Sequence, residues 1–104
     1  MDTKSMKKDF QKMVKAYRDS KPAIYSEWSK QMVRPEFPKE MLTNQQLCNN
    51  TATINFGYGT SRIHDEAKAF INSAAFTTFC DKYEIKNAFV ELNSDNRYQV
   101  RINY

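Results

Sequence analysis

From Arg97 to Tyr104 polar and apolar residues alternate without a fault. Tyr98, Val100, Ile102 and Tyr104 fall on one side, and Arg97, Gln99, Arg101 and Asn103 on the other. A period of two fits an extended strand with one face on a core and one toward water, because successive strand side chains point to opposite faces. Just upstream, Ala88, Val90 and Leu92 alternate in the same way, and Asn93-Ser94-Asp95-Asn96 supplies the turn between them. The chain therefore closes on a β-hairpin. A third strand is predicted over Thr51–Tyr58, where Ala52, Ile54, Phe56 and Tyr58 alternate with Thr51, Thr53, Asn55 and Gly57.

Between that strand and the hairpin the period changes to that of a helix. Gly59-Thr60-Ser61 turns the chain, Thr60 or Ser61 suits the N-cap, and Asp65 and Glu66 complement the helix dipole in the first turn. Ile63, Ala67, Phe70, Ile71 and Ala74 share one side, whereas Phe76, Phe79, Cys80 and Tyr83 lie nearly opposite. A change of face together with two good capping residues places a break at Asn72-Ser73.

The first fifty residues read as a helical half. A helix covers about residues 4–18. Pro22 suits the first turn of a second helix, in which Ile24, Tyr25, Trp28 and Met32 recur until Arg34-Pro35 ends it. Pro35 to Asn50 is a connector, with a short helical turn from Pro38 and with Met41, Leu42 and Leu47 pinned to the core. The expected fold is one compact α+β domain over residues 1–104. N-terminal helices are followed by strand–helix–strand–strand, and helices cover one face of a small, mainly antiparallel three-stranded sheet.

Charge is distributed unevenly along this plan. Residues 1–18 contain Lys4, Lys7, Lys8, Lys12, Lys15 and Arg18 against Asp2 and Asp9, an excess equal to the net +4 of the whole chain. On a helix, Lys4, Lys8, Lys12 and Lys15 fall within an arc of about 80°. Met6, Phe10, Met13, Val14 and Tyr17 take the opposite side. Clustered cations of this kind contact phosphates by releasing counterions, or adsorb to an anionic membrane surface or acidic protein, or stand as a solvated face.

The outer face of the sheet offers a second candidate. If Ile54, Val90 and Val100 face the helices, the other side presents Thr51, Thr53, Asn55, Gly57, Phe89 and Glu91, with Arg97, Gln99, Arg101 and Asn103 beside them. An aromatic among Arg, Gln and Asn is the chemistry that stacks and holds single-stranded bases. The alternative is a plain polar outer face on which the 35–50 connector covers Phe89.

Enzyme chemistry finds little support. His64-Asp65-Glu66 are adjacent on a helix and point about 100° apart, so they do not converge on one metal or substrate. Cys80 lies about 24 Å from His64 along a continuous helix and shares a stripe with Phe76, Phe79 and Tyr83, as a small buried hydrophobe does. Cys48 and His64 flank a strand without any local nucleophile motif. Two Cys and one His cannot assemble a four-ligand zinc site, and two Gly leave no glycine-rich phosphate loop.

The expectation is a small non-enzymatic binding protein with no cofactor or metal. No apolar leader or membrane span is visible, which makes the cytoplasm the expected compartment and leaves both thiols reduced. The leading expectation is RNA or single-stranded DNA as partner, held by Lys4, Lys8, Lys12, Lys15 and Arg18 at phosphates and by Phe89, Arg97 and Arg101 at bases. The competing one is a protein-interaction module, such as a phage-type accessory protein or inhibitor docking on a host protein, anchored by Tyr25 and Trp28. A homodimer is compatible with either.

Overall fold

The computed structural model describes residues 3–104. Met1 and Asp2, the latter counted in the charge balance above, lie outside the described residues. Helix α1 (Thr3–Asp19) is followed by a small ribbon of β1 (Ile24–Ser26) and β2 (Gln31–Val33). Next come β3 (Lys39–Met41), α2 (Asn44–Cys48), β4 (Thr51–Tyr58), α3 (Ser61–Ile71), α4 (Ala74–Lys82), β5 (Asn87–Leu92) and β6 (Arg97–Asn103). The main sheet is antiparallel with strand order β3-β4-β6-β5.

The predicted alternation of β4, β5 and β6 sets the register of the sheet, although Tyr58 and Leu92, both expected on the core side, end their strands exposed. Ile54 pairs with Val100 and Val100 with Val90, and Ala52 pairs with Ile102. Ile54, Val100 and Ile102 are fully buried. The helices meet them with Met6, Phe10 and Val14 of α1, Ala67 and Phe70 of α3, and Phe76 and Phe79 of α4. Aromatic rings join the layers: Phe70 lies 5.4 Å from Phe56, 5.0 Å from Phe76 and 4.8 Å from Tyr17, the last edge-on. Helix α3 lies along β4, β6 and β5, whereas α1 runs over β3 and against α4.

The break between α3 and α4 falls where the capping residues predict it. Ser73 Oγ accepts from the Phe76 amide at 3.4 Å and donates to the Phe70 carbonyl at 2.6 Å. Thr60 caps α3 by accepting from the Ile63 amide at 3.3 Å. The β5–β6 turn is built by Asn93, whose Oδ1 accepts from the amides of Asp95 and Arg97 at 2.9 and 3.1 Å.

Four expectations are corrected. Residues 22–34 form the β1–β2 hairpin, with Ile24 opposite Val33 and Tyr25 opposite Met32, so the helical half contains a single long helix. The loop between the strands closes through the Lys30 amide, which donates to the Ser26 carbonyl at 2.7 Å, with Lys30 at φ 56°. A lysine in that left-handed position gives none of the Gly or Asn signal that usually marks a hairpin. Pro38 precedes a strand and opens no helical turn: β3 adds a fourth strand alongside β4. Of the three connector residues expected in the core, Leu42 packs against it, Leu47 is half-buried and Met41 is exposed.

The fourth correction is a β-bulge. Register shifts between Asn55 and Gly57, leaving Phe56 unpaired in the ladder. Asn55 Oδ1 accepts from the Gly57 amide at 2.9 Å, and Gly57 sits at φ 120°, where a side chain is strained. The extra residue reverses the phase. Gly57 pairs with core-side Tyr98, and Tyr58, expected on the core side, pairs with Arg97 on the outer face.

Candidate interaction surfaces

The expected nucleic-acid residues fall on three separate surfaces. Lys4, Lys8, Lys12 and Lys15 are exposed on the side of α1 away from the buried Met6, Phe10 and Val14. They therefore point away from the sheet. Phe89 and Arg101 face the opposite direction, off the outer face, where they pair across β5 and β6. Arg18, half-buried at the end of α1, turns toward the sheet edge and donates to the Pro38 carbonyl at 3.4 Å.

Much of the outer face is already internally satisfied. Glu91 Oε1 accepts from Gln99 Nε2 at 2.5 Å and from Arg101 Nε at 2.6 Å, so the guanidinium expected at bases is held by a carboxylate. Asn93 donates to Gln99 Oε1 at 3.1 Å. Helix α2 closes over one end of the face: Gln46 donates to Thr53 Oγ1 at 3.0 Å, and Thr53 donates to the Met41 carbonyl at 3.0 Å. Phe89 remains 39% exposed. The connector that could have covered it runs as β3 along the far edge, separated from β5 by two strands.

The bulge gives this face a second aromatic that alternation hid. Arg97 lies over the Tyr58 ring, 4.6 Å from its centroid, and its Nη2 donates to the Tyr58 hydroxyl at 3.3 Å. Beside this pair lies a recess of about 600 Å³ at the edge of the sheet, to which Arg18, Lys39 and Arg97 all contribute. Lys39 enters it through β3, the strand that the sequence reading missed. An isolated Gly inside an alternating strand, as at Gly57, is the sequence signal that could have found the bulge.

The β1–β2 hairpin gathers five exposed large hydrophobic residues, Ile24, Tyr25, Trp28, Met32 and Val33. Trp28 at its tip is 96% exposed and Tyr25 57%, with Ile24 and Met32 also more than half exposed. Ile24 and Val33 share one face of the ribbon, and Tyr25 and Met32 share the other. Neither face is covered by a third strand. Both predicted anchors thus stand on one projecting element, joined by Ile24, Met32 and Val33.

The residues weighed for catalysis stay apart from these surfaces. His64 packs edge-on against Tyr98, ring centroids 5.1 Å apart, with Asp65 Oδ1 3.8 Å from its Nδ1. Cys80 is half-buried, and burial, then the Asp81 charge, pushes its thiol pKa up, which disfavours a nucleophile. Among the described residues no three His, Cys, Asp or Glu side chains are placed to hold a metal ion. No helix among them is long and apolar enough to cross a membrane. Comparison with protein-family models, curated proteins and solved structures returns no match to this chain.

Proposed function

We propose that this chain is a protein-interaction module that docks on a partner protein through the 24–33 hairpin, as a small accessory protein or inhibitor would. The observation that carries this reading is Trp28, 96% exposed at the tip of a ribbon with an apolar pair on each face, Ile24–Val33 on one and Tyr25–Met32 on the other. A two-stranded ribbon is marginal in water by itself, and exposed Trp and Tyr are the side chains that most often anchor interfaces. Glu27 and Lys30 balance one another beside the tip. Electrostatics there offers phosphates nothing, whereas an apolar pocket on another protein suits the indole.

The test compares tagged wild-type protein with Trp28→Ser and Tyr25→Ser variants of unchanged melting temperature. The wild type should retain one partner in stoichiometric amount, and loss of an anchor should weaken retention at least about tenfold. Equal retention by all three proteins overturns the reading. Sedimentation velocity of the purified chain reveals whether the partner is a second copy.

Nucleic-acid contact through α1 is the second reading, supported by the exposed Lys4, Lys8, Lys12 and Lys15 on one helix face. Four or five phosphate contacts imply a log–log salt slope of about −3 for a single strand. A flat salt response, or unchanged binding after Lys8, Lys12 and Lys15 are changed to Gln, rejects it.

A further inference from the structure

We propose that the recess between the end of α1, β3 and β6 binds the phosphate of a nucleotide, with Arg18, Lys39 and Arg97 as its cationic wall. These three side chains come from elements far apart in sequence, yet they line one hollow of about 600 Å³. Among the described residues none of the three forms an ion pair, including with Glu36, the single acid on the rim. Like charges gathered in a concavity repel one another and raise the local potential, and an anion relieves both effects.

The neutral groups agree with the charged ones. Asn55 lines the same hollow, and its Oδ1 is already engaged by the Gly57 amide. That leaves its NH₂, a pure donor, for a ligand. Arg18 is steadied by the Pro38 carbonyl, and Arg97 by the Tyr58 ring and hydroxyl. Two guanidiniums, an ammonium and an amide NH₂ make a donor set suited to phosphate oxygens.

The adjoining surface selects a nucleotide over bare phosphate. A second hollow of about 530 Å³ shares Met41, Asn55 and Arg97 with the first and brings in Tyr58, with Asp95 as its one acid. Tyr58 is 65% exposed, and with Met41 the ring face that Arg97 leaves open gives a base an aromatic and thioether floor beside the phosphate. This site is independent of the hairpin.

Titrations followed by NMR of the Arg97 Nε–H, the Asn55 side-chain amide and the Tyr58 ring test the assignment. The probes are adenosine 5′-monophosphate, inorganic phosphate, adenosine, and a short oligothymidylate with and without a 5′-phosphate. The mononucleotide should shift all three signals and bind more tightly than inorganic phosphate or adenosine. Arg97→Gln and Lys39→Gln should each weaken it about tenfold, the loss expected for one charge-assisted contact. Lys68→Gln, at an exposed position of α3 outside both hollows, should leave it unchanged. Lys39 is exposed on an edge strand, so its variant keeps the test valid if Arg97→Gln disturbs the fold. Oligothymidylate binding at these same signals, lost in both variants, supports the site with strand phosphates as its source. Adenosine binding as tightly as its monophosphate, no shift with any probe, or shifts that persist in both variants overturns it.

Discussion

Asp9 of α1 and Lys82 of α4 meet at 2.8 Å, and the neighbouring Tyr83 hydroxyl donates to the same Asp9 oxygen. This contact fastens α4, the outermost helix, to α1. The Lys82 hydrogen bond, then that of Tyr83, holds the Asp9 carboxyl below its usual range. The bond to Asp9 also raises Lys82 and Tyr83.

The signs define a pH window. A carboxylate depressed on folding stabilises above its unfolded value, about pH 4, and loses that contribution as pH falls through the folded value. Lys82 and Tyr83, both raised, contribute below about pH 10 and lose their contribution at higher pH. Urea midpoints of the wild type should therefore exceed those of Asp9→Asn at neutral pH, and the two curves should converge in acid. A gap unchanged from pH 7 to pH 2 contradicts this account.

Gly57→Ala isolates the backbone demand of the bulge. An added Cβ finds room, with its nearest neighbours Ile63 Cδ1 at 3.8 Å and Phe37 Cδ2 at 3.9 Å. The cost is then the φ of 120° itself, about 1–3 kcal/mol. That corresponds to a drop of at least about 4 °C in melting temperature for a domain of this size. If the bulge closes to relieve the strain, Tyr58 and Arg97 separate, and ring-current shifts at the Arg97 guanidinium disappear.

These two sites mark how far the sequence is legible. Where burial drives periodicity, in α1, α3, α4, β5, β6 and β4 as far as its bulge, the pattern and the fold agree, because one stripe of each element enters the same core. Ile24, Tyr25, Trp28 and Met32 have helical spacing but are all exposed, so their spacing records no buried face. Lys39-Glu40-Met41 is too short to show a period, and its place in the sheet comes from pairing with Asn55, Ile54 and Thr53. The recess of Arg18, Lys39 and Arg97 was therefore hidden: it needs the missed strand and the phase reversal at Gly57. The Glu91 clamp on Arg101 was equally unreadable, since it depends on the register of β5 against β6.

Phe89 faces outward on an edge strand, and it is only partly covered by its surroundings. Complete burial makes a Phe→Ala change cost about 3–5 kcal/mol. With 39% of the residue still in water, Phe89→Ala should cost about 1–2 kcal/mol by thermal melting. A loss in the full-burial range would show that something covers this ring in solution.

The two thiols should differ in reactivity. Cys48 is exposed, whereas Cys80 is half-buried with its pKa raised, first by burial and then by Asp81. Since the thiolate is the attacking species, an aromatic disulfide reagent near pH 8 should modify one thiol rapidly and the second slowly. Cys48→Ser should abolish the fast phase, and urea should merge the two. A fast phase that survives Cys48→Ser refutes the assignment.

Trp28 is the only tryptophan, so its fluorescence reports on the hairpin tip without interference. At 96% exposure its emission should be that of an indole in water, and acrylamide should quench it nearly as well as free tryptophan. With no packing to lose, Trp28→Ser should shift stability by no more than about 0.5 kcal/mol. A side chain that contributes little to folding yet holds a large aromatic surface in water is free to act on something else. Binding of a partner protein at the hairpin should move the emission to the blue and protect it from acrylamide. Blue, protected emission in the isolated chain at micromolar concentration, relaxing on dilution, would instead assign the hairpin to self-association.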